Sequence, residues 1–107
     1  MEIQCKGFSV SFPYDVDDKL NQFEMQAKGC LSNTILKLNS GIEYEINFYD
    51  STRFKQDVDE EVKIYGLFYE ENVVLIEEIT KEKLLYALNK IFDGGLCKKM
   101  VPVNCKE

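Results

Sequence analysis

The chain contains no histidine and no tryptophan, and Arg53 is its single arginine. Each absence removes a class of chemistry. Without His there is no Ser-His-Asp or Cys-His pair, no imidazole base and no imidazole metal ligand. One Arg cannot form the bidentate cluster that reads phosphate or guanine. Long apolar runs are missing too. None, including Val73 to Ile76 and Leu84 to Leu88, approaches the roughly 18 residues that suggest a membrane-spanning helix. Only Pro13 and Pro102 interrupt the chain, and there is no Gly/Ser-rich linker, repeat or low-complexity tract. A single domain over residues 1–107 is expected. The first residues show no basic stretch leading into an apolar one, so no signal peptide is expected and the location is read as cytoplasmic.

What is present suits a small folded domain. The 107 residues are 45% hydrophobic and 30% charged, enough for one core and a hydrated surface. The net charge of −6 repels nucleic acid and anionic membranes, so neither is expected as a partner. Four cysteines, Cys5, Cys30, Cys97 and Cys105, form no C-x-x-C pair. The short-spaced ligand pairs of a zinc knuckle are therefore missing, and reduced thiols are expected. Cys97 and Cys105 could pair only in an oxidising compartment. Cys97 precedes Lys98 and Lys99, cations of the kind that lower a thiol pKa.

The hydrophobic pattern predicts an α+β fold, a mainly antiparallel sheet of about five strands with a C-terminal helix packed on one face. Phe8, Val10 and Phe12 alternate with serines up to Pro13, as in a half-buried strand. Residues 15–28 are mixed, and are read as a helical turn followed by a strand through Phe23, Met25 and Ala27. Strands are expected over 34–39 and 42–49, joined as a hairpin by Asn39-Ser40-Gly41. In the second of these, Tyr44, Ile46 and Phe48 fall on the buried face with Ile42, and Tyr49 falls on the wet one. Ser51 is the expected cap of a short helix with Phe54, Val58 and Val62 on one stripe. Strands over 62–69 and 73–79 would follow, apolar on both faces and therefore central in the sheet. Thr80 caps the strongest helix, 81–93. Leu84, Leu85, Leu88, Ile91 and Phe92 form its stripe, and Gly94-Gly95 is its left-handed stop. Met100 to Val103 reads as a short edge strand.

Charge is distributed unevenly along this pattern. Residues 42–79 hold eleven acids against Arg53, Lys55 and Lys63, whereas residues 80–107 hold three acids against six lysines. Asp57, Asp59, Glu60 and Glu61 crowd the C-terminal half of a helix, where the dipole disfavours them. Calcium does not explain them. Counting from Asp57, the sixth position of an EF-hand loop would be Val62 rather than Gly, and the twelfth Phe68 rather than Glu. Nor is a glycosidase expected, since no Trp is present to stack a sugar. Neither metal nor cofactor is expected. The remaining reading is electrostatic recognition of a basic protein. Asp57, Asp59, Glu60, Glu61, Glu70 and Glu71 would supply the charge, with Tyr49 and Tyr69 as anchors beside them.

The acidic stretches 57–61 and 70–78, and the ending FYEENVVLIEEITKEKLLYALNKIF, resemble bacterial immunity proteins of contact-dependent growth inhibition and related polymorphic toxin systems. That resemblance implies a non-enzymatic cytosolic inhibitor that covers the active site of a cognate toxin, often a basic nuclease. Two other classes fit the same residues. One is a small enzyme or ligand-binding domain using carboxylates or Cys97. The other is a homo-oligomeric structural subunit, suggested by strands apolar on both faces.

Overall fold

The computed structural model describes residues 1–103. Cys105, and with it the expected pairing to Cys97, lies outside the described residues. In chain order the elements are β1 (Glu2–Gln4), β2 (Phe8–Ser11), α1 (Lys19–Lys28), β3 (Cys30–Leu38), β4 (Glu43–Tyr49), α2 (Ser51–Tyr65), β5 (Val73–Leu75) and α3 (Lys81–Asp93), followed by a 3₁₀ turn over Leu96–Lys99. The strands form one open five-stranded sheet in sequential order. All neighbouring pairs are antiparallel except β4 and β5, which run parallel. The fold is α+β, and the sheet is mainly antiparallel.

The hairpin expected from Asn39-Ser40-Gly41 is present. Ile35 faces Glu45, Leu36 faces Tyr44 and Lys37 faces Glu43. Alternation then places Val10, Leu36, Tyr44, Ile46 and Phe48 in the core. The same buried cluster holds Val16 and Met25 from the α1 region, Ile79, and Leu84, Leu88 and Ile91 of α3. The Phe92 ring lies 4.9 Å from Phe8. Each fully buried Leu or Ile contributes about 1.5–3 kcal/mol by leaving water. Thr80 caps α3 as expected, its hydroxyl accepting from the Lys83 amide. The left-handed stop is Gly95 alone, because Gly94 keeps helical dihedrals.

Several expected elements are replaced. The strand expected through Phe23, Met25 and Ala27 is helix α1. Asp18 caps its start, and Gly29, at φ 72°, ends it by donating to the Met25 carbonyl. Phe23 is exposed and only Met25 is fully buried, so the apolar residues that suggested strand spacing do not share a face. The cap of α2 is Asp50 rather than Ser51, with its carboxylate accepting from the Arg53 amide at 2.8 Å. The helix continues past residue 61 to Tyr65, and Gly66, at φ 84°, terminates it by donating to the Val62 carbonyl. The first half of the expected 62–69 strand is therefore helix and the rest is loop. Strand 73–79 contracts to Val73–Leu75 and sits at the sheet edge rather than its centre. A parallel neighbour needs a crossover, and α2 is that crossover. Residues 100–103 form no strand either. Val101 instead meets the side chain of Asn72, described below.

No helix among the described residues is long and apolar enough to cross a membrane.

Candidate functional site

The acidic surface is built on α2 and the loop that returns from it to β5. Aromatic contacts fix α2 against the sheet. Phe54 meets Tyr49 edge-on at 5.5 Å, and Phe68 meets Phe54 at the same distance. Tyr49 was expected on the wet face. Its parity is as expected, but Phe54 and Phe68 cover that face at this end of β4, and Tyr49 is 6% exposed. It is not a surface anchor. Its hydroxyl donates to Glu70 Oε1 at 2.6 Å, which orients that carboxylate. Burial, and then the bond to Glu70, push the Tyr49 pKa well above its ordinary value.

Two of the expected acids are engaged along the helix. Arg53 Nε donates to Asp57 at 2.9 Å and Lys55 Nζ to Asp59 at 2.7 Å, both i,i+4 pairs. Arg53 also donates to the Lys28 carbonyl at 3.1 Å, tying α2 to the end of α1. Glu60 and Glu61 form no ion pair among the described residues. They border an open depression of about 300 Å³ with Asp57, Ile64 and Tyr65.

The loop after Gly66 carries the remaining expected residues, Tyr69, Glu70 and Glu71. Three side chains hold it. Tyr49 binds Glu70, Asn47 Nδ2 donates to the Glu71 carbonyl at 3.2 Å, and Asn72 Nδ2 donates to the Glu45 carbonyl at 3.0 Å. Asn72 also clasps the backbone of Val101. Its amide donates to the Val101 carbonyl at 2.9 Å and accepts from the Val101 amide at 3.0 Å. Asn72 is left-handed, at φ 53°, a conformation Asn tolerates better than most residues. Glu45, Tyr69, Glu71 and Val101 line a second open depression of about 320 Å³.

Apolar exposure is the feature that sequence reading missed. Ile64, Tyr65, Leu67 and Tyr69 are between 62% and 74% exposed. Only Tyr69 was expected there. A central strand over 62–69, apolar on both faces, would have buried the others. The signal that could have found them is Gly66, a helix-stop residue just after the basic last-turn residue Lys63. The structure therefore sets Glu60 and Glu61 beside Ile64 and Tyr65 at one depression, and Tyr69, Glu70 and Glu71 at another, with the apolar segment between them in the chain. It turns Tyr49 inward and ties Asp57 and Asp59 to bases.

Chemically, this is an exposed apolar segment with carboxylates before and after it. Among the described residues no group of three His, Cys, Asp or Glu side chains is placed to hold a metal ion. Cys97 is buried, and that burial raises its thiol pKa, the opposite of what a nucleophile needs. Comparison with protein-family models, curated proteins and solved structures finds no match for this chain.

Proposed function

We propose that this chain is a non-enzymatic binding protein that docks a basic protein domain on the surface around residues 60–71. The observation that supports this most directly is the composition of that surface. Four large apolar side chains stand in solvent, with Glu60 and Glu61 before them and Glu70 and Glu71 after them. Apolar anchors inside a polar rim are the common anatomy of protein interfaces. A rim of one sign selects a partner of the other and raises its association rate. Tyr65 and Tyr69 are the anchors, and Glu60, Glu61 and Glu71 are the steering charges.

The resemblance to immunity proteins makes that partner a toxin domain whose active site binds anions, such as a nuclease. On this reading the carboxylates occupy positions otherwise taken by substrate phosphates, and the protein acts in the cytoplasm. The test is co-expression with the C-terminal domain of an exported protein encoded beside it. Protection of the cell should accompany a stable complex that weakens as salt rises. The exposed changes Tyr65→Lys and Glu60→Lys should each reduce both binding and protection. No complex and no protection would reject the reading. Protection that survives both changes would move the interface elsewhere.

A further inference from the structure

A second exposed surface begins where the loop after Gly66 ends, at the β5 edge of the sheet. β5 is the last strand and pairs only with β4. The Asn47 amide donates to the Asn72 carbonyl, and the Ile76 amide donates to the Tyr49 carbonyl. Residues 72 and 76 therefore turn their backbone groups toward β4. By strand alternation Val73 and Leu75 turn theirs away from it. Among the described residues no partner strand covers that edge. Beside it lies a groove between β5 and α3, of about 370 Å³, whose walls include Val74, Ile76 and Ala87. Leu75, Tyr86 and Leu96 stand exposed along it.

We propose that this edge and groove bind a second copy of the chain, with β5 pairing antiparallel to its counterpart about a two-fold axis. Charge separates this occupant from a basic or an acidic protein. The surface around residues 60–71 carries Glu60, Glu61, Glu70 and Glu71 against Lys63 alone, and its net negative charge would repel a copy of itself. The rim here carries both signs. Glu77 is paired with Lys83 at 2.9 Å, and Lys90 lies 5.5 Å over the Tyr86 ring with no ion pair among the described residues. A two-fold axis can set Lys90 of one copy against Glu77 of the other without placing like charges together. Size argues the same way. A three-residue edge offers few backbone hydrogen bonds to a foreign peptide. A two-fold interface uses every contact twice, so Leu75, Tyr86 and Leu96 would each be buried on both sides.

The experiment is sedimentation equilibrium of the full chain from micromolar to millimolar concentration. Mass should rise from 12.4 kDa toward twice that value. Association should strengthen with salt, because two chains of net charge −6 repel at long range. Tyr86→Lys, at an exposed position, should weaken the dimer on the order of tenfold. Leu75→Pro, which removes an outward N–H, should do the same. Tyr65→Lys should change nothing. The Val73 and Leu75 amides should gain protection from hydrogen exchange as concentration rises. A monomer throughout the range would overturn the proposal. So would a dimer indifferent to Tyr86→Lys or one disrupted by Tyr65→Lys. The basic-partner reading is tested separately, since its complex weakens with salt and depends on Tyr65.

Discussion

Helices α2 and α3 are held in opposite ways. α3 drives Leu84, Leu88 and Ile91 out of solvent, whereas α2, with 15 residues against 13, has no fully buried side chain. α3 belongs to the core. α2 is a mount: Phe54 rests on Tyr49 and Phe68, Asp50 caps the start, and Arg53 reaches the end of α1. A helix held by so few contacts can carry unfavourable charge near its C-terminus and leave Ile64 and Tyr65 in water, because little of the fold's stability passes through it. The segment free to carry exposed apolar and acidic side chains is the helix with no fully buried residue.

Substitutions on the two sides should separate these roles. The largest effect is expected from Leu88→Ala. Deleting a side chain that is 0% exposed should cost about 2–5 kcal/mol in denaturant unfolding. A loss no larger than that of a surface change would mean that α3 is not part of the core.

Tyr49→Phe comes next and acts on the mount. It removes the hydrogen bond to Glu70 and should cost about 1–2 kcal/mol, since water can reach the half-buried carboxylate. Amide exchange should quicken in the 66–72 loop and leave α3 unchanged. The Tyr49 pKa is raised above 10.0 in the fold. Its contribution is therefore complete below that pH and declines as pH rises through the folded value. Urea melts on either side of pH 10 should show a smaller alkaline loss for Tyr49→Phe than for the parent chain. Equal losses would remove this tyrosine from the alkaline transition.

The smallest effect belongs to Lys55→Ala. Its pair with Asp59 is exposed on both sides, and such pairs contribute little. The denaturant midpoint should not shift measurably. A clear shift would make the charges of α2 structural and weaken the contrast with α3.

The same contrast explains what could be read from the sequence. α3 and the β3–β4 hairpin were legible because their patterns serve burial. Thr80, Leu84, Leu88 and Ile91 sit where a capped, half-buried helix requires them. Ile42 is the one position of the β4 pattern that ends in solvent rather than the core. α1 and the end of α2 were not legible, because Phe23, Ile64 and Tyr65 are apolar residues that the fold leaves exposed. Periodicity assumes that apolar means buried, so these residues pointed to strands. At the surface site the acids were legible as a charge imbalance. Which of them are paired was not, because the Arg53 and Lys55 pairs depend on the helical register of α2. Tyr49 shows the limit of alternation, which assigns a side of the sheet and not what covers that side.

The amide of Asn72 has a consequence for the order of events in folding. Its two bonds to Val101 join positions 29 residues apart. Closing a loop of that length costs roughly 3 kcal/mol of chain entropy, more than two exposed hydrogen bonds return. The clasp can close cheaply only once docking of α3 has brought its two ends together, so it forms after the rate-limiting step and opens before it. Asn72→Ala should therefore steepen the loss of protein by unfolding while leaving the refolding rate untouched. A slowed refolding limb would place the clasp in the nucleus instead. With the refolding rate untouched, Asn72 is a latch that sets how long the native state survives, and has no part in how quickly it is found.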